Sequence, residues 1–427
     1  MIFLVIFYLL LFSFGFRLGY LNNQYDELRL LQILLAFISV FFLIKNNFNF
    51  RIKTILFFFI IYFGIWISFL NFNIFKAQDV LMWLSIFFIF LSMLKIDFQG
   101  FKIQRYLSIL VLGSVTPIFF IFLFIYDFLV SGDKNDWGVY YGSIRIFDSY
   151  IISIFWLTFF LLIKGDKIFE KIYVYIIFLI GVALFFNGAR SALLSIIFPL
   201  LILWVIKIDY RSLVNRILKA FGVSFLLYNF IYIIRNLMHG NSLDINIARL
   251  STSRRSEMWV FMYDKWKENP FIGLGGGFLA KEHYIHGYHA HNLWLRLIFE
   301  WGGVGVILLI FILNQIYILF NSKVDPVLKM GVLSIIIDAT FSGSFVYPAS
   351  QMSCILFLAL AFSYIKQPDF ISQNLISSKI LILLYVFLFF YIILKFFWMD
   401  VSCFGCMSQE GRLAPFFWEY GGTSHLK

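Results

Sequence analysis

The feature that most constrains this chain is a series of long apolar runs separated by short polar breaks. A run of about 20 apolar residues is long enough to cross a bilayer core as an α-helix. The runs do not alternate polar and apolar residues as the strands of a membrane β-barrel do. The sequence therefore predicts an all-α, polytopic transmembrane helical bundle of about 12–13 spans. The predicted spans cover residues 1–20, 28–44, 54–71, 79–94, 106–130, 149–163, 173–187, 190–206, 217–234, 291–320, 331–343, 350–365 and 379–398.

The composition agrees with this class of protein. Of the 427 residues, 62% are hydrophobic and 13% are charged, whereas a soluble protein has roughly 45–50% apolar and about 25% charged residues. The net charge of +11 does not indicate nucleic-acid binding, because Lys and Arg in membrane proteins concentrate in cytoplasmic loops and near lipid headgroups. We therefore expect a membrane partner and no nucleic-acid partner.

The distribution of basic residues predicts the orientation. The N-terminal stretch MIFLVIFYLLLFSFGFRLGY lacks a basic n-region and a cleavage site, so it is interpreted as a span rather than a signal peptide. The positive-inside rule places the N-terminus in the cytoplasm and the longest polar segment on the external side. The predicted parts are an N-terminal transmembrane bundle (1–234), a large external loop (235–290), C-terminal transmembrane helices (291–398) and an external tail (399–427).

Arg190 lies at the predicted outer boundary between two spans, in the stretch NGARSALLS. A charge at membrane depth is costly and normally has a partner. The side chain could simply reach out to the lipid headgroups. Alternatively, it could hold an anionic group, because the planar guanidinium donates two parallel hydrogen bonds to phosphate.

Residues 251–278 of the large loop predict an amphipathic helix that lies on the membrane. Arg254 and Arg255 stand at its N-terminal end, where the helix dipole also favours phosphate. Ordinary interfacial anchoring is the alternative. The run GLGGGF that follows lacks the Lys-Ser/Thr of a nucleotide-binding loop, so it is interpreted as a flexible turn.

Four of the six histidines lie close together, at positions 283, 286, 289 and 291. They could bind a metal, but no Asp or Cys accompanies them, so we expect none. The tail motif CFGC, with Cys403 and Cys406, has no companion ligands for zinc and is interpreted as a local disulfide or two free thiols. A neutral imidazole could instead act as a general base near neutral pH. A histidine that only forms hydrogen bonds at the interface is the remaining interpretation.

Together these features predict a reaction at the membrane surface. The arginines would bind a phosphate or pyrophosphate leaving group, and a histidine would deprotonate an acceptor hydroxyl. Glycosyl transfer from a polyprenyl pyrophosphate donor fits this arrangement. It would require no nucleotide, metal or other cofactor if arginines neutralise the developing charge.

The order of motifs is more specific than any of its parts. His291 and Asn292 are followed by nine residues and then by Gly302 and Gly305, with Val306 next. This arrangement resembles the superfamily of O-antigen ligases and O-antigen polymerases. The ligase signature there is His, then Asn, Ser or Gln, nine residues and Gly-x-x-Gly, usually followed by Thr. Val306 departs from that last position.

Two further motifs of the superfamily match in the same order. Its arginine between two spans falls on Arg190, and its R-x-x-x-W arginine falls on Arg255. Its Pro-x-x-Gly-x-Gly falls on Pro270, Gly273 and Gly275. The match covers roughly residues 180–310, and beyond them the resemblance is one of span pattern.

The resemblance implies a GT-C-like inverting glycosyltransferase of the bacterial inner membrane that works at the periplasmic face. The donor would be a glycan on undecaprenyl pyrophosphate. His291 would be the base, with His289 in reserve. Arg190 and Arg255 would bind the pyrophosphate, with Arg254 in reserve for Arg255. Two residues could have orienting roles, namely Asn292 and Asp338.

The two alternative functions, ligase and polymerase, differ in the acceptor of the glycan. A ligase would use a lipid A–core hydroxyl, and a repeat-unit polymerase would use the first sugar of another lipid-linked glycan. The HN-x9-GxxG match favours the ligase. A lipid-linked oligosaccharide flippase would need polar groups through the depth of the bilayer. Here the polar groups gather at one face, which favours an enzyme.

Overall fold

The computed structural model describes residues 1–16, 24–45, 74–131, 144–165, 167–240, 255–282, 284, 289–365, 383, 385–387 and 389–390. These residues form helices connected by short turns, and none of them lies in a β-strand. The α-helices are α1 (Ile2–Ser13), α2 (Gln24–Lys45), α3 (Ile74–Met93), α4 (Phe101–Ser114), α5 (Thr116–Phe119), α6 (Ile121–Ser131), α7 (Ile144–Lys164), α8 (Glu170–Asn187), α9 (Arg190–Ile206), α10 (Arg211–Met238), α11 (Arg255–Trp266), α12 (Phe278–Lys281), α13 (Leu293–Asn321), α14 (Pro326–Phe341) and α15 (Pro348–Ser363).

The helices confirm an all-α, multi-pass membrane protein. Within the described residues, six helical stretches are long and apolar enough to cross a bilayer, and four shorter apolar helices accompany them. The helices follow the predicted spans closely, except that the span predicted at 106–130 is interrupted near Pro117 into α4, α5 and α6. The predicted span 54–71, most of 379–398 and the whole tail lie outside the described residues.

Helix α7 forms the centre of the bundle. It packs against α4, α8, α14 and α15, and most of its side chains are buried. A helix that is apolar on all sides is expected to be enclosed by other helices. The hydroxyl of Tyr150 within it forms hydrogen bonds of 2.8 Å with Ser13 and 2.5 Å with Ser114. These bonds connect α7 to α1 and α4 in the apolar interior.

Helix α13 breaks at Gly302, whose φ of 55° and ψ of −134° are not helical. The segment that follows α11 is hydrogen-bonded to α13 at this break. The N–H of Gly275 donates to the carbonyl of Glu300 (2.8 Å), and the N–H of Gly303 donates to the carbonyl of Phe271 (2.9 Å). Backbone groups that the break removes from the helix ladder therefore find partners in the large loop.

Glycine is required on both sides of this joint. A Cβ on Gly302 would lie 2.5 Å from the carbonyl oxygen of Phe271, and a Cβ on Gly273 would lie 2.5 Å from that of Glu300. Both residues also have φ values, 55° and 77°, that favour glycine. The two glycine motifs in the sequence are thus halves of one backbone contact. The interpretation of GLGGGF as a flexible turn is wrong, because its backbone is bonded to α13.

We call residues 255–282 the cap segment. Its helix α11 buries Met258 and Met262 in a small apolar cluster with Leu279, Ala290 and Phe299. The cluster lies against the first part of α13, before the break. The cap segment is therefore held to α13 both by side-chain packing and by the backbone joint.

The short spans predicted at 331–343 and 350–365 correspond to two separate helices. Helix α14 ends at Phe341 and α15 begins at Pro348. The connection between them, residues 342–347, is mostly buried. It brings Tyr347 to the segment that carries His289 and His291.

Candidate active site

Two histidines and a tyrosine form a connected set before α13. The backbone N–H of His291 donates to Nδ1 of His289 (3.2 Å), and Nε2 of His289 lies 3.1 Å from the hydroxyl of Tyr347. Because Nδ1 accepts a hydrogen bond, a neutral His289 carries its hydrogen on Nε2 and donates it to Tyr347. Both ring nitrogens of His289 are therefore engaged.

His291 lies close by in the chain but has a different environment. Its imidazole lies against that of His289, with 3.7 Å between the ring centroids and an angle of 46° between the ring planes. Its φ of +49° is left-handed, which is uncommon for a residue other than glycine and recurs at functional sites. The bond from its N–H to His289 stabilises this backbone turn.

Both imidazoles are neutral at physiological pH. Burial is the main reason that the pKa of His291 falls to about 3, and the positive charges of Arg255 and Arg145 lower this pKa further. Burial also lowers the pKa of His289 well below its ordinary value, with a smaller contribution from His291. A neutral imidazole retains the lone pair that a general base requires.

A small cavity lies beside these histidines. The residues that line it are His289, Ala290, His291, Asn292, Leu293, Arg296, Ser342, Phe345 and Val346. The cavity is therefore bounded by the start of α13 on one side and by the α14–α15 connection on the other.

Arg255 approaches the α14–α15 connection from α11. Its Nη1 donates to the carbonyl of Phe341 (2.5 Å). Its Nε is buried and has no hydrogen-bond partner among the described residues. Burial, with the positive charges of Arg145 and Arg190, lowers the pKa of Arg255. Arg255 thus has donor capacity beyond what the protein uses, in a positive environment.

The start of α7, which carries Arg145, and the end of α8, which precedes Arg190, both lie near the α14–α15 connection. The side-chain amide of Asn187, at the end of α8, donates to Asp148 of α7 (2.5 Å). One residue further along α7, the hydroxyl of Ser149 lies 2.9 Å from that of Ser342. Arg145 is one helical turn before Ser149, and Arg190 is three residues after Asn187.

All three arginines occupy the first turn of a helix. Arg145 is the second residue of α7, Arg190 the first of α9 and Arg255 the first of α11. Helix N-termini carry partial positive charge and unpaired N–H groups, so they add to the attraction for an anion. The sequence analysis missed Arg145, although its position at a helix start resembles that of Arg190. Arg254 lies outside the described residues.

The two residues predicted to orient groups have defined contacts. The side-chain oxygen of Asn292 accepts from the N–H of Leu295 (2.9 Å) and caps α13. Asp338 is buried in α14 and accepts a hydrogen bond from Ser344 in the α14–α15 connection. The negative charge of Asp338 acts on Arg255, so it belongs to the same electrostatic environment.

A buried arginine that the sequence analysis missed supports the α14–α15 connection. Arg29 of α2 is 1% exposed. It donates to the carbonyl of Val346 (2.5 Å) and to the side-chain oxygens of Gln32 (2.6 Å) and Gln351 (2.7 Å). Val346 precedes Tyr347, so this network fixes the backbone beside the tyrosine that contacts His289.

A second set of buried charges includes Arg296, which lines the cavity. Arg296 pairs with Asp79 of α3 and, at 2.9 Å, with Glu300. The indole N–H of Trp301 donates to Asp79 (2.8 Å), and the Arg296 guanidinium lies 5.6 Å from the ring centroid of Trp83. These contacts hold the first part of α13 against α3.

The structure thus brings several predicted residues together around the α14–α15 connection, namely His289, His291, Arg190, Arg255, Asn292 and Asp338. His283 and His286 lie outside the described residues. Among the residues that are described, no three side chains of the types His, Cys, Asp and Glu group as a metal site would require.

Comparison with known proteins agrees with the motifs. The sequence model of the O-antigen ligase family matches residues 175–310. The matched segment contains Arg190, Arg255, His289 and His291. No curated protein and no solved structure matches the chain. This match supports the resemblance to the superfamily of O-antigen ligases and O-antigen polymerases that the motifs indicate.

Proposed function

We propose that the protein transfers a glycan from undecaprenyl pyrophosphate to an acceptor hydroxyl at the periplasmic face of the bacterial inner membrane. The family match supports a function of the O-antigen ligase and polymerase type. One observation carries the finer proposal. A neutral histidine, His291, lies near Arg255 and Arg145, and Arg190 lies near Arg255, with each arginine in the first turn of a helix.

In the proposed reaction the acceptor oxygen attacks the anomeric carbon of the donor glycan. The bond from this carbon to the pyrophosphate oxygen breaks, and the configuration inverts. An imidazole nitrogen of His291 takes the hydroxyl proton, and the pyrophosphate leaves with the bonding electron pair. General-base catalysis of this kind contributes about 10²–10⁴-fold to a rate.

The two histidines would have separate roles. Both ring nitrogens of His289 are used, one by the N–H of His291 and the other by Tyr347. This geometry supports His289 as a positioning residue that holds the left-handed backbone of His291. His291 borders the cavity and retains the role of base.

The arginines would bind the pyrophosphate. Each guanidinium can present two parallel N–H groups to phosphate oxygens and keeps its charge. The orphaned Nε of Arg255 supports this role. We add Arg145 to Arg190 and Arg255, because its charge acts on both His291 and Arg255. Fixed donors aimed at developing charge are commonly the largest contribution to catalysis.

The ligase reaction, with lipid A–core as the acceptor, is the first choice. The description of the matching family and the HN-x9-GxxG motif favour it. A repeat-unit polymerase that extends an O-antigen or capsule glycan would use the same donor, and a second lipid-linked glycan would replace the lipid A–core acceptor.

The test is surface glycan analysis in a strain that lacks the gene, complemented with the wild type or with His291→Ala. A bare core with long polymer retained on undecaprenyl pyrophosphate indicates a ligase, and a core capped with a single repeat indicates a polymerase. Complementation should fail with His291→Ala. His239→Ala, which changes an exposed histidine bonded to the carbonyl of Leu129, is the control and should complement. Normal glycan with His291→Ala would rule out His291 as the base.

A further inference from the structure

The cap segment exposes two apolar side chains at one turn. Phe271 is 83% exposed and Ile272 is 43% exposed. The turn is well ordered by hydrogen bonds, since the carbonyl of Phe271 accepts from Gly303 and the N–H of Gly273 donates to Asn269, each at 2.9 Å. The backbone therefore holds these side chains outward. We call Phe271 and Ile272 the apolar tip.

The position of the tip along α13 relates it to the bilayer. The part of α13 after the break runs from Gly303 to Asn321. At a rise of about 1.5 Å per residue it is about 28 Å long, close to the roughly 30 Å of a bilayer core. This part alone is sufficient to cross the bilayer, so the edge of the hydrocarbon lies near the break.

The lipid-facing side of α13 leads directly to the tip. Val306, Ile307 and Ile310 are exposed, and they follow Gly303 at intervals of three, four and seven residues. Residues at these intervals lie on one face of a helix. A Cβ on Gly303 would be 4.0 Å from the Phe271 ring. The Phe271 side chain therefore stands at the upper end of this apolar face.

We propose that the apolar tip inserts into the interfacial region of the lipid bilayer and anchors the cap segment there. The apolar tip is continuous with the lipid-facing surface of α13. An exposed apolar surface that is rimmed by polar residues is typical of such contacts. The charged pairs Lys267–Asp264 (2.7 Å) and Lys265–Glu268 (3.5 Å) on the same segment suit the headgroup region.

This contact would fix the height of the cap segment relative to the headgroups. The backbone joint at Gly302 already fixes the cap segment to α13. Anchoring at Phe271 would add a second attachment, to lipid. The inference depends on the structure of the cap segment and does not require the proposed function.

The experiment places a single fluorescent label on the full-length protein in nanodiscs of phosphatidylethanolamine and phosphatidylglycerol. Cys403 and Cys406 are replaced by Ser, and Cys354 is buried. A polarity-sensitive label is attached at Phe271→Cys, with Ile272→Cys as a second position. Glu268→Cys, three residues before Phe271 and 65% exposed in its side chain, is the matched control.

We expect the label at position 271 or 272 to be blue-shifted, quenched by nitroxide-labelled lipid and protected from aqueous iodide. The label at position 268 should show the opposite pattern. Equal access of iodide to the three positions would overturn the proposal. A blue-shifted label that lipid nitroxide does not quench would also overturn it, because a protein surface such as a second copy would then cover the tip.

Discussion

Arg296 is buried and Arg255 is half-buried near the same histidines, and their surroundings differ. Arg296 is neutralised by Asp79 and Glu300 and packs against Trp83. Arg255 donates to the neutral carbonyl of Phe341 and forms no ion pair among the described residues. Its nearest charges include two further arginines.

This difference separates a structural arginine from one that is suited to bind a ligand. Burying a charge is costly unless it is paired and hydrogen-bonded. At Arg296 the protein supplies both partners, so the guanidinium holds α13 against α3. At Arg255 the protein supplies a neutral carbonyl, and no carboxylate forms an ion pair with it in the described part of the chain. An anionic substrate would complete the second environment.

The largest expected effect tests the structural role of Arg296. Asp79→Ala removes the acceptor that Arg296 and Trp301 share. Glu300 still pairs with Arg296 in this variant, but the Arg296 guanidinium and the Trp301 indole each lose a buried acceptor. Such a loss costs about 1–3 kcal/mol per donor, and more when the donor is charged. Thermal unfolding in detergent should show a clear decrease in Tm.

The control for Asp79→Ala is Arg216→Gln, which breaks an exposed ion pair with Glu170 at 2.5 Å. Exposed pairs contribute about 0–1 kcal/mol, so its Tm should stay close to that of the wild type. Equal Tm values for the two variants would contradict a structural role for the Arg296 cluster.

The next largest effect tests whether Arg255 binds the anionic substrate. Arg255→Lys keeps the positive charge but removes the planar fork, so we expect transfer to fall about 100-fold, the lower range for loss of one fixed donor. The Tm should change little, because the hydrogen bond lost goes to one backbone carbonyl. Initial rates with purified lipid-linked donor are the measurement.

Arg211→Lys is the matched control for Arg255→Lys, since Arg211 stacks on Trp204 with 5.1 Å to the ring centroid, away from the histidines. It should transfer at the wild-type rate. A normal rate for Arg255→Lys as well would show that Arg255 does not need bidentate contacts, and the contrast with Arg296 would lose its functional meaning.

A smaller effect concerns Asn292, which lies between the two arginine environments. Its side chain caps α13, so Asn292→Ser should keep both stability and transfer, because Ser caps a helix nearly as well. Asn292→Ala should cost about 1 kcal/mol of stability. The measurements are Tm and transfer rate. A stable but inactive Asn292→Ser would instead indicate that the amide contacts the substrate.

The helices were largely predictable, because a long apolar run between polar breaks is a local property of the sequence. Helix α9 begins and ends where a span was predicted. His291, Arg190 and Arg255 could be proposed from the sequence because each occupies a motif of known spacing. The site pairs were not predictable, since Asp79 and Arg296 are 217 residues apart in the chain.

Two misses have physical explanations. Arg29 lies in a predicted span, and nothing local indicates that it would bond to Val346 and Gln351, which are far away in the chain. The run GLGGGF was interpreted as flexible, because glycine permits many conformations. Its actual constraint is the close approach of α13, which only tertiary structure reveals.

The smallest expected effect is a shift in pH dependence, and it tests whether the arginines act on the base. The pKa of His291 is lowered to about 3, mainly by burial and then by Arg255 and Arg145. In the free enzyme the base therefore stays neutral as the pH falls through 6.5, the ordinary pKa of histidine, and kcat/KM should not fall there on account of His291.

Arg145→Gln removes one of the positive charges, so the pKa of His291 should rise and the acid limb of kcat/KM should move to higher pH. Arg216→Gln changes the charge equally at a pair with Glu170 and should leave the limb in place. If both variants shift the limb alike, the effect comes from net charge, and Arg145 does not belong to the group around His291.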